Sequence, residues 1–127
     1  MEMMASDDVF AEPEDTREVT DQMTMELAGL KFTVLHAPGH TQGSILFDFD
    51  GDVNHVFTGD VLFAGAIGRT DLPGSSPADM DTSLRDVVLN LPDSSLVFPG
   101  HGPASNMTVE KSSNEYLLRV AKGLSAI

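Results

Sequence analysis

The chain has no cysteine, few basic residues and no long apolar run. The absence of cysteine in its 127 residues excludes disulfides, thiolate metal sites and thiol nucleophiles. Seven lysines and arginines against twenty acidic residues give a formal net charge of −13, which argues against nucleic acid and anionic membranes as partners. No stretch approaches a membrane span and no basic-then-apolar leader is recognised, so we expect a cytoplasmic protein.

Length and composition predict one compact domain preceded by an acidic segment. A chain of 127 residues leaves no room for two domains, and 41% hydrophobic residues are enough to build a core. Residues 1–22 form an acidic lead-in around Glu12-Pro13-Glu14-Asp15, which we expect to be mobile or to lie on the surface. Residues 23–127 carry the patterned remainder.

Periodicity predicts a sheet followed by two helices. Short apolar segments with strand-like alternation occupy residues 23–27, 31–35, 44–49, 53–58 and 96–98. Asp50-Gly51 is a hairpin signal. Residues 60–75 contain three glycines and a proline and are predicted to form a long loop.

The two helices are marked by their start signals and apolar faces. The first is expected to begin at Ser76-Pro77, a capping residue followed by proline, and to stop at Pro92. The second is expected over residues 108–122, burying Leu117, Val120 and, just beyond it, Leu124.

Three times an apolar run ends in a glycine that is followed at once by a metal-type ligand. The three residues are His40, Asp60 and His101. Glycine lets a strand turn sharply, so each side chain is expected at the edge of the sheet. Two imidazoles and a carboxylate delivered in this way could converge on a cation such as zinc. Taken singly, each residue is more typical of an ordinary turn, but three together, each after a glycine and a strand, favour a metal site.

Polar residues near these three are expected to hold their side chains in place by hydrogen bonds. Thr41 is placed to hold His40 by hydrogen bonds, and Thr58 to do the same for Asp60. His36 lies in a proline-containing loop and is interpreted as a supporting or purely structural residue. Arg69 and Asp71 are expected to pair with each other rather than to meet a substrate.

These motifs resemble the later metal motifs of the metallo-β-lactamase superfamily. Its glyoxalase II-type branch is similar to this chain over nearly the whole length from about Glu12. The matching segments are residues 36–41, 57–63, 68–71 and 99–102, together with Glu110 and Asn114.

The resemblance implies a fold and a ligand set. The fold would be α/β (α+β): half of the family's αββα sandwich, with one mostly antiparallel sheet and two helices. His40 would bind a first metal and His101 a second, with Asp60 bridging them as the catalytic residue. The family's thiolate-using lactamases carry cysteine where Asp60 stands, so that activity is not expected.

The family's first motif, His-x-His-x-Asp-His, is absent from this sequence. Residues 23–127 are therefore expected to be the second half of such a domain, either natural or a fragment. Each metal would keep only two ligands, so metal affinity and hydrolysis are expected to be weak. A one-sided sheet would also leave apolar residues such as Val34, Ile45 and Phe47 open to water. We expect that face to bind a second copy or a complementary first-half polypeptide.

Three functions remain in competition at this stage. The first is a zinc-dependent hydrolase of glyoxalase II type, acting on thioesters such as hydroxyacylglutathione. The second, implied by the same resemblance, is a persulfide dioxygenase-like enzyme with one iron held by His40 and Asp60. The third is a partner-binding half-domain that catalyses nothing. The metal found in the purified chain, or its absence, discriminates among them.

Overall fold

A computed structural model describes residues 23–127; the predicted acidic lead-in, residues 1–22, lies outside the described residues. Within the described residues, eight strands and three α-helices follow one another, with one 3₁₀ turn over Val88–Asn90. Their bounds are β1 Met23–Leu27, β2 Leu30–His36, β3 Ile45–Phe49, β4 His55–Gly59, β5 Leu62–Phe63, β6 Ala66–Ile67, α1 Pro77–Asp86, β7 Leu96–Pro99, β8 Ser105–Asn106, α2 Met107–Ser113 and α3 Glu115–Ala121.

The main sheet has six strands in the order β1-β2-β3-β4-β7-β8, and β5 and β6 form a separate hairpin. All neighbours in the main sheet are antiparallel except β4 and β7, which are parallel. Because β2 and β4 both run opposite to β3, the strands β2, β4 and β7 share one direction. Their carboxyl ends therefore meet at one edge of the sheet, and this edge positions the candidate site. The fold class expected from the sequence is confirmed.

The principal core lies between one face of the sheet and the helices. It contains fully buried side chains from both layers, three from strands and five from the helices and the 3₁₀ turn. They are Leu46, Val56, Val97, Met80, Leu84, Val88, Met107 and Leu117. Burial of such side chains contributes about 1.5–3 kcal/mol each and is the main force that holds the layers together.

The opposite face of the sheet is aromatic. Five phenylalanines from four strands form a continuous set of ring contacts with centroids 4.8–5.7 Å apart: Phe32, Phe47, Phe49, Phe57 and Phe98. We call this surface the aromatic face. Phe57 at its centre is 45% exposed, as expected for a one-sided sheet. Val34 was expected to be open to water on this face, and that expectation is wrong. It is fully buried and lies in register between the longer side chains of Met23 and Phe47.

The first helix begins where the sequence predicts but ends earlier. Ser76 caps it by accepting a hydrogen bond from the Asp79 N–H, and Pro77 occupies the first turn. Beyond Asp86 the chain tightens into the 3₁₀ turn, because Leu91 must become extended before Pro92. None of the helices in residues 23–127 is long and apolar enough to cross a bilayer.

The second predicted helix is two helices separated at Asn114. Asn114 has extended backbone angles, and its side-chain oxygen accepts hydrogen bonds from the N–H groups of Tyr116 and Leu117. An asparagine that caps the following residues competes with helix continuation, which explains the break. Leu117 and Val120 are buried as expected, but Leu124 is half-exposed and that expectation is wrong.

The predicted loop over residues 60–75 is also partly wrong. It contains the hairpin formed by β5 and β6, in which Leu62 pairs with Ile67 and Phe63 with Ala66. Strands of two residues are too short to produce a recognisable alternation in the sequence.

Asp48 gives a prediction about stability and pH. Burial raises the pKa of its carboxyl group, the charge of Asp50 raises it further, and only a long 3.4 Å hydrogen bond from Asn54 opposes the rise. An acid whose folded-state pKa is raised favours folding only while it is protonated, so its contribution is lost as pH rises. Asp48→Asn should therefore raise the midpoint temperature of unfolding at pH 7, and the gain should vanish below about pH 4.

Thermal unfolding followed by circular dichroism between pH 3 and pH 8 measures this effect. Asp52→Asn is the control. Asp52 is exposed in the turn that follows β3, so this change removes the same charge without affecting a buried group. An equal gain in both variants, or a gain that does not change with pH, contradicts the prediction.

Candidate metal centre

Three strand ends bring His40, Asp60 and His101 together. His40 follows β2, Asp60 follows β4 and His101 follows β7, all at the same edge of the sheet. The Nε2 atom of His40 lies 3.7 Å from Oδ2 of Asp60, and Nδ1 of His101 lies 3.8 Å from Oδ1 of the same carboxyl group. Each oxygen of Asp60 therefore faces a different imidazole.

These distances suit metal ligands better than direct hydrogen bonds. Ligands bound tetrahedrally to zinc at about 2.0–2.2 Å lie roughly 3.4 Å from each other, close to both observed separations. Nowhere in residues 23–127 do three histidine, aspartate or glutamate side chains converge on one point. The arrangement is two His–Asp pairs that share Asp60, and each pair is a candidate half-site for a cation.

The imidazole of His40 is oriented by a backbone carbonyl. Its Nδ1 lies 2.8 Å from the carbonyl oxygen of Arg69, which can only accept a hydrogen bond. The neutral ring therefore carries its proton on Nδ1 and presents the Nε2 lone pair toward Asp60. A second hydrogen bond of this kind is the usual means by which proteins fix a metal-binding tautomer.

The loop that carries His40 is held by α1 and by the two serines that precede it. Three consecutive carbonyl groups accept hydrogen bonds from serines: Pro38 from Ser83 Oγ at 2.7 Å, Gly39 from Ser76 N at 2.8 Å and His40 from Ser75 Oγ at 2.8 Å. A Cβ at Gly39 would lie 2.6 Å from Cα of Met80, and its φ of +147° disfavours other residues. The helix and the loop therefore pack backbone against backbone.

Asp60 lies in a tight turn between β4 and β5. The N–H of Val61 donates to the carbonyl of Thr58 at 2.9 Å, and the buried Thr58 hydroxyl donates to the carbonyl of Leu62 at 2.7 Å. Thr58 was expected to hold Asp60 directly. Its hydroxyl instead closes the turn around Asp60.

Two further glycines allow the neighbouring loops to reach this turn. A Cβ at Gly68 would overlap the carbonyl oxygen of Asp60, and one at Gly100 would lie 3.3 Å from Oδ1 of Asp60. The N–H of Gly100 donates to the carbonyl of Gly59 at 2.8 Å. Both loops therefore contact the turn through their backbones.

His101 is the most exposed of the three, with 78% of its side chain accessible. Its imidazole lies against the ring of Phe63 in the β5–β6 hairpin, with centroids 4.6 Å apart. The hairpin missed in the sequence thus forms one wall of the candidate centre.

The remaining residues singled out from the sequence lie around the centre. Thr41 is joined to Ser44 by a 2.8 Å hydrogen bond between their hydroxyl groups, within the loop that carries His40. His36 contacts the carbonyl of Gln42 through Nε2 at 2.9 Å. Both contacts shape that loop.

Arg69 and Asp71 form the ion pair that the sequence suggested. The guanidinium donates twice to the carboxylate, at 2.7 and 3.1 Å. This pairing lowers the pKa of Asp71 and raises that of Arg69. Both side chains are exposed, so the pair adds little to stability.

Sequence reasoning considered the side chain of Arg69 and missed its carbonyl group. The oxygen that orients His40 belongs to the backbone, and no side-chain identity encodes it. The available signal was Gly68 immediately before it, because a glycine within a polar loop often permits close backbone approach.

Comparison with known proteins decides the family. The sequence pattern of the metallo-beta-lactamase superfamily matches residues 3–101. The chain belongs to this superfamily. It is 42% identical over 93 residues to the hydroxyacylglutathione hydrolase GloC of Haemophilus influenzae, covering 73% of this chain and 43% of that protein.

Solved structures agree with this assignment. ETHE1 from Myxococcus xanthus superposes with a TM-score of 0.72 at 37% identity, covering 83% of this chain and 46% of that one. TTHA1623, solved in a di-iron-bound form, superposes with a TM-score of 0.65 at 39% identity over 82% of this chain and 50% of its own. The superfamily is metal-binding and hydrolase-like. The chain spans about half the length of the curated relatives it matches.

Gly68 provides a test of the close packing. Gly68→Ala should force the backbone of Asp60 away and lower the free energy of unfolding by about 2 kcal/mol, because overlap with backbone cannot be relieved by a rotamer change. It should also separate Asp60 from His40. Denaturant unfolding measures the loss of stability. Zinc titration, monitored through the imidazole resonances of His40 in NMR spectra, measures the separation of Asp60 from His40.

Gly43→Ala is the matched control. Gly43 lies in the loop that carries His40, and a Cβ there meets nothing within 4 Å. If Gly68→Ala is no more harmful than this control in either measurement, the packing argument is wrong.

Proposed function

We propose that this chain is the second-half portion of a zinc-dependent thioester hydrolase of the glyoxalase II type. One observation supports the proposal above the others. The two oxygens of Asp60 face two different imidazoles, at 3.7 Å from His40 and 3.8 Å from His101. A carboxyl group placed in this way suits a bridge between two cations, an arrangement found in many hydrolytic sites.

Each residue has a distinct role under this proposal. His40, held by the Arg69 carbonyl, would offer Nε2 to a first cation, and His101, resting against Phe63, would offer Nδ1 to a second. Asp60 would supply one carboxyl oxygen to each. When bound, such cations polarise a carbonyl group and lower the pKa of water to about 7, which is the chemistry that ester and thioester hydrolysis requires.

The same geometry argues against the single-iron alternative. One iron at His40 and Asp60 would leave Oδ1 of Asp60 and the imidazole of His101 without a role, although these two atoms lie 3.8 Å apart. The likeness to GloC, whose name states hydroxyacylglutathione hydrolysis, supports a thioester substrate. The likeness to ETHE1 and to a di-iron protein keeps iron as a competing outcome of the test.

Each half-site is incomplete by itself. A catalytic zinc generally has three protein ligands, whereas His40 with Asp60, and His101 with Asp60, supply two each. The exposed fraction of Asp60 (51%) and of His101 (78%) leaves room for further ligands on the solvent side. We therefore expect the isolated chain to bind zinc weakly and to hydrolyse thioesters slowly.

Metal titration tests the proposal. Adding Zn²⁺ should perturb the imidazole resonances of both His40 and His101, and Asp60→Asn should weaken both effects because the shared ligand is lost. His40→Ala should remove one binding event and leave the other. His55→Ala is the control, because His55 lies on β4 in contact with Phe98 of the aromatic face.

The outcomes separate the alternatives. Binding of Zn²⁺ at both histidines supports the hydrolase. Tight binding of a single Fe²⁺ under anaerobic conditions that His101→Ala leaves unchanged favours the dioxygenase. If no metal perturbs either histidine even at millimolar concentration, the chain is a non-catalytic half-domain and the proposal fails.

We further propose that the aromatic face binds a first-half polypeptide that completes the domain. The described helices cover only the other face of the sheet. An open groove of about 820 Å³ crosses the uncovered face, bordered by Leu30, Phe49, Phe57, Leu96 and Phe98. Contiguous exposed apolar surface of this kind marks interfaces.

A first-half polypeptide fits better than a second copy for two reasons. A second copy would bring only the same three ligands, and its own half-sites would be equally incomplete. Two copies would also each carry a formal charge of −13, and this repulsion opposes their association. The relative with 42% identity is about twice as long as this chain, so it carries a further segment of matching size.

Mixing experiments test this partner. The part of Haemophilus influenzae GloC that this chain does not match, expressed separately, should form a one-to-one complex with the chain in analytical ultracentrifugation. Phe57→Asp should weaken that complex at least tenfold, because the change places a charge at the centre of the aromatic face. Val109→Asp, at a position of similar exposure on α2, should not.

Circular dichroism of both variants verifies that they remain folded. A stable monomer that ignores the added polypeptide removes the proposal. Self-association that Phe57→Asp abolishes would replace the first-half partner with a second copy.

A further inference from the structure

Glu110 is a buried acidic residue without a cationic partner among the described ion pairs. It lies on α2 and is 1% exposed. Its Oε1 accepts hydrogen bonds from the Gly65 N–H at 3.0 Å and from Asn114 Nδ2 at 2.9 Å, and its Oε2 accepts one from the Ser105 hydroxyl at 2.6 Å. A carboxyl group buried in this way is tolerated because several donors replace the water it has lost.

Two of the three donors, Gly65 and Ser105, belong to the segments that follow metal-type ligands. Gly65 is the turn of the β5–β6 hairpin, which begins two residues after Asp60, and Ser105 opens β8, four residues after His101. Asn114 strengthens the connection by donating to the carbonyl of Ala66 in the hairpin at 3.3 Å. One carboxyl group thus ties the hairpin to the segment that follows His101.

This tie determines where Phe63 lies. Phe63 is two residues before Gly65 in the hairpin, and its ring contacts the imidazole of His101 at a centroid distance of 4.6 Å. Because His101 is highly exposed, its rotamer depends on such a support. If the hairpin moved, the imidazole would be free to turn away from Asp60.

We propose that Glu110 is a positioning residue for the second half-site: it fixes the hairpin so that Phe63 directs the imidazole of His101 toward Asp60. The importance of this orientation for catalysis rests on the proposed function. The orientation itself does not depend on bound metal, so it can be measured separately.

Ring-current shifts in NMR spectra provide that measurement. An aromatic ring at 4.6 Å displaces the resonances of the facing imidazole protons, and Phe63→Leu defines the value for His101 without this effect. Glu110→Ala should move the His101 resonances toward the Phe63→Leu value. Ser105→Ala, which removes one of the three donors, should produce a smaller movement in the same direction.

Two further variants distinguish positioning from general stability. Asn106→Ala removes the cap of α2, where Asn106 accepts from the Val109 N–H at 2.9 Å, without touching the hairpin. It should lower stability but leave His101 unchanged. Glu110→Gln should largely restore the His101 shift, because its amide oxygen can still accept from Gly65 and the Ser105 hydroxyl can rotate to accept from its amide nitrogen.

Two results would overturn the inference. One is a Glu110→Ala or Glu110→Gln variant in which the His101 shift stays at the wild-type value while the Gly65 N–H resonance shows that the hydrogen bond is lost. The other is an equal movement of His101 in Asn106→Ala. If Glu110→Ala does not fold, Ser105→Ala and Glu110→Gln decide the matter.

Zinc titration connects this inference to the metal centre. Glu110→Ala should weaken zinc binding at His101 by about tenfold, the usual effect of losing a group that supports a ligand, and should leave His40 unaffected. If the wild-type chain binds no metal at all, the proposed function fails. The ring-current measurement still decides the role of Glu110 in that case.

Discussion

The turn at Asp60 is approached by neighbouring backbones more closely than ordinary side chains allow. A side chain at Gly68 would overlap the carbonyl oxygen of Asp60, and one at Gly100 would press on its carboxyl group. Gly59 adopts a φ of +52°, which turns the chain sharply at the end of β4. The backbones of two loops therefore form the floor of the centre, and histidines reach Asp60 from both sides. The distances between the three side chains depend on this close packing.

The sequence could predict these three side chains because two simple rules act together. A glycine after an apolar run marks the end of a strand, and strands of common direction end at a common edge of the sheet. The parallel pairing of β4 with β7 brings Asp60 and His101 close, and the antiparallel β3 between β2 and β4 brings in His40. The sequence predicted the strand ends, whereas the strand directions that place the three ends at one edge come from the structure.

Contacts made through the backbone or through short elements could not be predicted in the same way. The Arg69 carbonyl that orients His40 would be present with any side chain at that position. The β5–β6 hairpin has two-residue strands, so Phe63 gave no periodic signal. Asn114 looks like an ordinary helix residue until its side chain is found capping the next helix. In each case the decisive partner is distant in sequence or belongs to the main chain.

If one polypeptide both covers the aromatic face and supplies the missing ligands of the half-sites, its binding and zinc binding are thermodynamically coupled. Binding free energies linked in this way are reciprocal: the factor by which the partner tightens zinc equals the factor by which zinc tightens the partner. In that case the aromatic face would supply the apolar burial that holds the two chains together, and the metal ions would stabilise only the register in which further ligands meet Asp60. Apolar surface alone is non-directional. Under the proposed function, the shared carboxyl group of Asp60 would therefore provide the specificity that five phenylalanines cannot provide.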